Sequence, residues 1–368
     1  MTQRHELRAL TGARGIAAWL VVLFHLRFMM TGIGGARGPM QWGYLAVDFF
    51  FVLSGFVIWM TYAERIREGG FAAVPDFLKR RVARVWPLHL FMLGAALVFA
   101  LAIATLGHPD WQQYPPSELP LHILLLQNWG FTDALTWNVP AWSISCELAA
   151  YLLFPLLALA VDWRKLPTAA LLAAGLAFAG FVYAVFAFVG DTVLGQSILT
   201  IGVFRCLGEF ALGTVVCALW IRWRDRPWTP ALVATALGTA LLVAHATGLI
   251  PQIAALPPVF AALVLVLALT SGMRGNPFEL APIHYLGEIS YATYLGHWML
   301  WMGFKLAFVH GHDMGWPLFA LFVAMTLAAS VLLYHFVERP AQRWINRIKL
   351  PSRLREGLGE GVSTRGPA

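Results

Sequence analysis

Polar residues in this chain come in short clusters, and the apolar runs between them are about 20 residues long, the length that spans bilayer hydrocarbon as one helix. The runs fall near 13–31, 43–62, 84–106, 139–161, 168–189, 197–221, 231–247, 253–272, 284–306 and 316–337. The pattern predicts an all-α, polytopic membrane helix bundle of about ten transmembrane helices. The boundary between the seventh and eighth runs is the least sharp, because Pro251, Pro257 and Pro258 interrupt it. One transmembrane domain, residues 1–350, holds every span, and residues 351–368 read as a polar, disordered tail.

Composition points the same way. At 59% hydrophobic and 12% charged residues, the chain has too few charges to cover a water-soluble domain of this size. The placement of those charges sets an orientation. Arg4 and Arg8 precede the first run, and Arg65, Arg67, Lys79, Arg80, Arg81 and Arg84 separate the second from the third. Every second loop after that is basic, whereas the loop 107–138 carries Asp110, Glu118 and Asp133 and no Lys or Arg. The positive-inside rule then predicts that both termini are cytoplasmic, the last 18 residues included. The net charge of +7 is accounted for by topology, so no nucleic acid is expected as a partner. No cleaved signal peptide is expected, since the first run contains Arg14 and His25 and leads to no small-residue cleavage site. Cys146, Cys206 and Cys217 all fall within runs, which implies no disulfide framework.

Ionisable residues inside spans are costly and mark functional sites. Arg14 and His25 lie eleven residues apart, about three turns, so one helix face carries both, roughly 16 Å apart. His25 lies roughly 18 Å up its span, His297 at a similar height in the ninth, and Glu147 about 12 Å down the fourth, which runs the other way. Two imidazoles and a carboxylate at one depth form a candidate catalytic set, in which a neutral imidazole serves as general base and a carboxylate holds its tautomer. Ordinary buried histidines are the competing reading, more so for His297 than for His25.

A second cluster lies at the basic end. Arg81 and Arg84, at i,i+3, point the same way beside Arg14, and guanidinium forks suit phosphates. Lys79 and Arg80 read as positive-inside anchors. Phosphates at the base with a histidine above suit a long donor such as coenzyme A. Ser143, Glu147 and Tyr151 form an i,i+4 polar stripe, Asp48 either shapes the outer chamber or caps its helix, and Arg205 with Glu209 reads as a neutralised i,i+4 pair. Cys146 is a candidate nucleophile, although a packing role fits it better. Trp42, Trp111, Trp129 and Trp137 suit either sugar stacking or an interfacial belt. No metal-ligating set and no tightly bound cofactor are expected. A transporter without chemistry fits the same polar profile, and His297 with His310 raises a haem reading that lacks a matching pair on another helix.

Several stretches together resemble the acyltransferase-3 family of membrane O-acyltransferases: Arg14 and His25 as Arg-x10-His, "VDFFFVLSGFVI", Arg81 and Arg84 as Arg-x-x-Arg, Glu147 and Tyr151 as Glu-x3-Tyr, and "LGEISYATYLGH". They cover residues 8–340 in the family's order. The resemblance implies transfer from a cytoplasmic acyl-CoA co-substrate, usually acetyl-CoA, to a hydroxyl of an extracytoplasmic carbohydrate or other acceptor. It implies an essential His25 and a multi-pass protein of the bacterial cytoplasmic (inner) membrane. Some relatives carry a fused extracytoplasmic hydrolase-like domain. None is visible in this sequence, so direct transfer or delivery to a separate partner enzyme is expected. The match departs at Cys146 and Ala149, where relatives often have Glu and a larger polar residue.

Overall fold

A computed structural model of the chain describes residues 6–30, 37–309 and 314–348, so the tail 351–368 lies outside the described residues. Every regular element among them is helical. Helix α1 spans Arg8–Leu26, α2 Ala46–Gly69, α3 Val74–Thr105, α4 Leu119–Leu124, α5 Ala141–Ala160, α6 Thr168–Val189 and α7 Ile198–Trp223. Then come α8 Trp228–Ala246, α9 Gln252–Thr270, α10 Ala281–Glu288, α11 Ser290–Phe308 and α12 Trp316–Leu333. A π-helical turn, Tyr334–Glu338, leads into α13, Arg339–Arg347. Among the described residues, eight stretches are long and apolar enough to cross a membrane; one of them, 38–105, contains both α2 and α3, and α11 is not among the eight.

Two departures from the predicted spans matter for the site. Helix α3 begins ten residues before its apolar run, at Val74, because its basic foot is itself helical. Pro75 sits in the first turn, where its missing N–H costs nothing, and Asp76 there pairs with Lys79 at 3.1 Å and with Arg80 at 2.8 Å. These two cations are thereby occupied. The ninth run is not one helix, for the chain breaks at Ile289 into α10 and α11. Pro257 and Pro258, by contrast, leave α9 unbroken.

Glycine lets α1 press onto that break. A Cβ at Gly15 would fall 2.5 Å from the Gly287 nitrogen, and one at Gly287 would fall 1.9 Å from the Thr11 carbonyl oxygen. Helices α2 and α7 meet equally closely, since a Cβ on Gly55 or Gly213 would strike the opposing backbone. Around this core, α6, α8 and α12 turn large apolar residues outward, among them Leu176, Phe188, Leu232 and Leu332. That is the surface a lipid-facing helix presents.

The acidic loop after α3 folds into the bundle. Trp86 Nε1 donates to the Ile123 carbonyl, a ring nitrogen of His89 lies 2.7 Å from the His122 carbonyl, and Asn138 Nδ2 donates to the Leu295 carbonyl. Trp137, read from sequence as a sugar-stacking or interfacial residue, is 1% exposed and packs on Tyr114. Trp129 donates to the Ser145 carbonyl, whereas Trp42 and Trp111 remain exposed.

Candidate active site

Five elements surround a cavity of about 170 Å³. Arg14 reaches it from α1, Ser54 from α2, Arg81 and Arg84 from α3, the stripe Ser143, Glu147 and Tyr151 from α5, and Ser290, Tyr291 and Tyr294 from α11. Sites that enclose a drug-sized ligand run to about 300–1,000 Å³, so this one suits a single arm of a larger molecule.

Each guanidinium is held differently. Arg14 Nη2 and Nε donate to the Gly287 carbonyl at 2.8 and 3.2 Å, and Nε also reaches Ser290 Oγ at 3.0 Å. It thus caps the carbonyl end of α10 at the break, where a cation complements the helix dipole. Arg81 donates to the Tyr62 hydroxyl at 2.9 Å and lies over the Tyr62 and Tyr151 rings, with its buried Nε unpartnered. Arg84 is ion-paired with Glu338 and sits 5.2 Å from the Tyr291 ring, while the Tyr291 hydroxyl donates to the Val85 carbonyl. The Ser143 and Tyr294 hydroxyls lie 2.8 Å apart and converge on the Pro140 carbonyl.

Behind Tyr294 lies the histidine pair. The Tyr294 ring centroid is 6.3 Å from that of His297, and His297 Nε2 lies 3.1 Å from His25 Nδ1. The acceptors assign the protons. His297 Nδ1 is 3.1 Å from the Thr293 carbonyl, which only accepts, so Nδ1 carries the hydrogen and Nε2 the lone pair. His25 Nδ1 must then be the donor, shared between His297 Nε2 and the Val21 carbonyl at 3.0 Å. The lone pair of His25 is left on Nε2, which has no hydrogen-bond partner among the described residues. The rings of Phe24 and Trp298 stand edge-on to it at 5.3 and 5.1 Å.

The sequence-derived residues therefore fall into two groups rather than one. Arg14, Arg81, Arg84, Ser143, Glu147 and Tyr151 share the cavity, and His25 and His297 form a pair beside it. Glu147, expected to hold the His25 tautomer, faces Ser54, Tyr151 and the arginines; His297 occupies the orienting place. The reason is helical rise. Ser143 is the residue of the α5 stripe that touches the histidine-bearing helix, and Glu147 sits one turn further down. Asp48 and Arg205 lie apart from the cavity. They form a fully buried pair at 2.6 Å, so the i,i+4 pairing of Arg205 with Glu209 gives way to a partner across the α2–α7 contact. Cys146 accepts from Asn128 Nδ2 at 3.1 Å and is a packed residue. His310 lies outside the described residues.

Sequence reasoning missed Ser54, Tyr62, Ser290, Tyr291, Tyr294 and Glu338. The signal for the tyrosines was present, since Tyr291 and Tyr294 are at i,i+3 in "LGEISYATYLGH". For Glu338 the cue was an acidic residue at an otherwise basic foot.

The histidine pair and the arginine-lined cleft are set side by side in a bundle of apolar helices long enough to cross a membrane. The chain belongs to the acyltransferase-3 family, whose acyltransferase domain matches residues 7–335. It is similar to the acyltransferase MdmB of Streptomyces mycarofaciens, 33% identical over 93% of each chain. It is also similar to the putative membrane-bound transacylase BcsY of Komagataeibacter xylinus, 29% identical over 96% of this chain and 87% of that one. The O-acetyltransferase OatA of Staphylococcus aureus is 22% identical over 92% of this chain but only 57% of its own length. No solved structure matches. The protein is thus a multi-pass membrane acyltransferase that moves groups other than amino-acyl groups.

Proposed function

We propose that this enzyme is an O-acyltransferase that moves an acyl group, acetyl by preference, from cytoplasmic acyl-CoA to a hydroxyl of an extracytoplasmic glycan. The names of two relatives, a putative peptidoglycan O-acetyltransferase of Bacillus subtilis and OatA, support the glycan acceptor and the acetyl group. In this reading ten helices, α11 included, cross the bacterial inner membrane, both termini are cytoplasmic, and transfer is direct, with no separate partner enzyme. Donor phosphates dock on Arg81, Arg84 and Arg14. The thioester arm rises through the cavity past Glu147 and Tyr294 towards the histidine pair.

The observation that carries the reading is the open lone pair on His25 Nε2. In the reaction it takes the proton of the acceptor hydroxyl as the oxygen attacks the thioester carbonyl. The C–S bond then breaks, and the leaving thiolate recovers that proton from the imidazolium. Acyl ester and free thiol result, with no net proton change. General-base catalysis contributes about 10²–10⁴-fold.

The test is base-labile ester on the surface glycan of a deletion strain complemented with wild type or His25→Ala at equal membrane levels. Ester restored by wild type alone is the expected result, with at least a ~100-fold deficit in the variant. Equal restoration by both overturns the role of His25.

A further inference from the structure

A second polar cavity lies where the acidic loop folds into the bundle, and no part of the acyl-transfer chemistry uses it. It is about 10 Å³, close to the room one water needs, and His122, Gln127, Asn128, Thr132, Thr136, Asn138 and Trp142 are among its lining residues. Four of these present buried acceptors with no donor: Gln127 Oε1, Asn128 Oδ1, Asn138 Oδ1 and His122 Nδ1. Each residue is at least nine-tenths buried.

The orientation of the three carboxamides is forced. Gln127 Nε2 donates to the Ala141 carbonyl, Asn128 Nδ2 to the Ile198 carbonyl and Asn138 Nδ2 to the Leu295 carbonyl. A carbonyl only accepts, so a flipped amide would set oxygen against oxygen. Ala141, Ile198 and Leu295 are not among the cavity's lining residues, so the NH₂ groups are committed outside it and the oxygen is what each carboxamide has left to offer. His122 is fixed as well. The Thr136 hydroxyl donates to Glu118 at 2.6 Å and therefore accepts from His122 Nε2 at 2.9 Å, which leaves the lone pair on Nδ1.

Four acceptors around one water-sized space need a guest that only attracts lone pairs. A single water supplies two hydrogens and leaves half of them orphaned. No Lys or Arg is among the described residues that line the cavity, and residues 85–163 contain none. Arg205 lies against the Trp142 ring, a wall of the cavity, but it is paired with Asp48. One carboxylate, Glu118, stands behind Thr136 and His122, its Oε2 being 3.8 Å from His122 Nε2. One negative charge and neutral oxygen donors suit a monovalent ion. Divalent hard cations take carboxylates directly, and no group of three His, Cys, Asp or Glu occurs among the described residues.

We propose that this cavity binds a monovalent metal cation of about the size of sodium, held by the carboxamide oxygens of Gln127, Asn128 and Asn138 together with His122, and balanced by Glu118. All four ligands belong to the acidic loop, so the ion ties the loop to itself and holds in place the carboxamides whose N–H groups reach the Ala141, Ile198 and Leu295 carbonyls of α5, α7 and α11.

The experiment is thermal unfolding of the purified full-length protein in detergent, prepared without sodium, as sodium chloride replaces N-methylglucamine chloride at constant ionic strength. A ligand that binds only the folded state raises Tm with its concentration. The expected result is a saturable rise of at least ~3 °C in wild type. That rise is absent in Gln127→Ala, and in Gln127→Glu, where the added carboxylate tightens the site, it is reached at a lower sodium concentration. No sodium-specific rise in wild type, or an undiminished rise in Gln127→Ala, overturns the proposal. Should Gln127→Ala fail to fold, equilibrium binding of radioactive sodium ion to the detergent-solubilised wild type decides: saturable binding of about one ion per chain, competed by sodium chloride and not by N-methylglucamine chloride, supports the site, and no saturable binding overturns it.

Discussion

At the scale of single residues, the proposed mechanism makes one histidine of the pair the base and the other the group that aims it. His297 does not reach the open lone pair; it fixes where that lone pair is, by accepting from His25 Nδ1. His297→Ala is therefore expected to lower kcat about 10-fold or more through misassigned tautomers, with the donor KM little changed. His297→Gln, whose side-chain oxygen can accept the same hydrogen bond, is expected to recover part of the loss. Steady-state kinetics of the three proteins check this, and equal kcat in wild type and His297→Ala would remove the orienting role. The spacing of Arg14 and His25 made both residues legible in the sequence, because one helix's period is enough to place them. Which residue faces His25 was not legible, since that depends on how two helices 272 residues apart are rotated against each other. Arg205 teaches the same lesson. The i,i+4 rule named Glu209, but a fully buried guanidinium took the carboxylate that could lie in line with it, Asp48.

Helices behave more predictably than contacts between them. Several predicted spans match the observed helices closely, the run 168–189 among them, because hydrophobic length is a property of one segment alone. The break at Ile289 was hidden, because "GEISYATYLGH" contains no proline and its two glycines, Gly287 and Gly296, both sit inside helices. It is stabilised from outside, by Arg14 on the Gly287 carbonyl and by the close seat of α1. Gly287→Ala should thus destabilise the fold by about 1–3 kcal/mol through overpacking, since the added methyl meets backbone rather than a yielding side chain. Chemical denaturation measures this. The same substitution at Gly180, which faces open space, is expected to leave stability nearly unchanged, and equal effects at the two sites would contradict the packing argument.

On the scale of the whole molecule, charge placement and fold agree on one arrangement: the basic feet of α2 and α3 and the basic α13 lie at one end of the bundle, joined by the contact of α3 with α13. The expected outcome of fusing a reporter that fluoresces only in the cytoplasm is signal from both the N- and C-terminal fusions, and none from a fusion in the loop 107–138. Signal from the loop fusion would invert the topology. What the sequence could not show at this scale is that the acidic loop belongs to the interior. Its polar composition reads as solvated, and only the carbonyls of α7 and α11 that it caps reveal where it goes.

The break that seats Arg14 also sets a timetable for the ribosome. Arg14 and the carbonyl it caps are 273 residues apart, and the two histidines 272. A nascent chain therefore carries His25 long before its partner His297 has been made. About four-fifths of the chain precedes Ser290, and a message truncated there yields a protein that has no organised histidine pair. The histidine pair is thus completed late, when α11 is made and comes to lie beside the first helix.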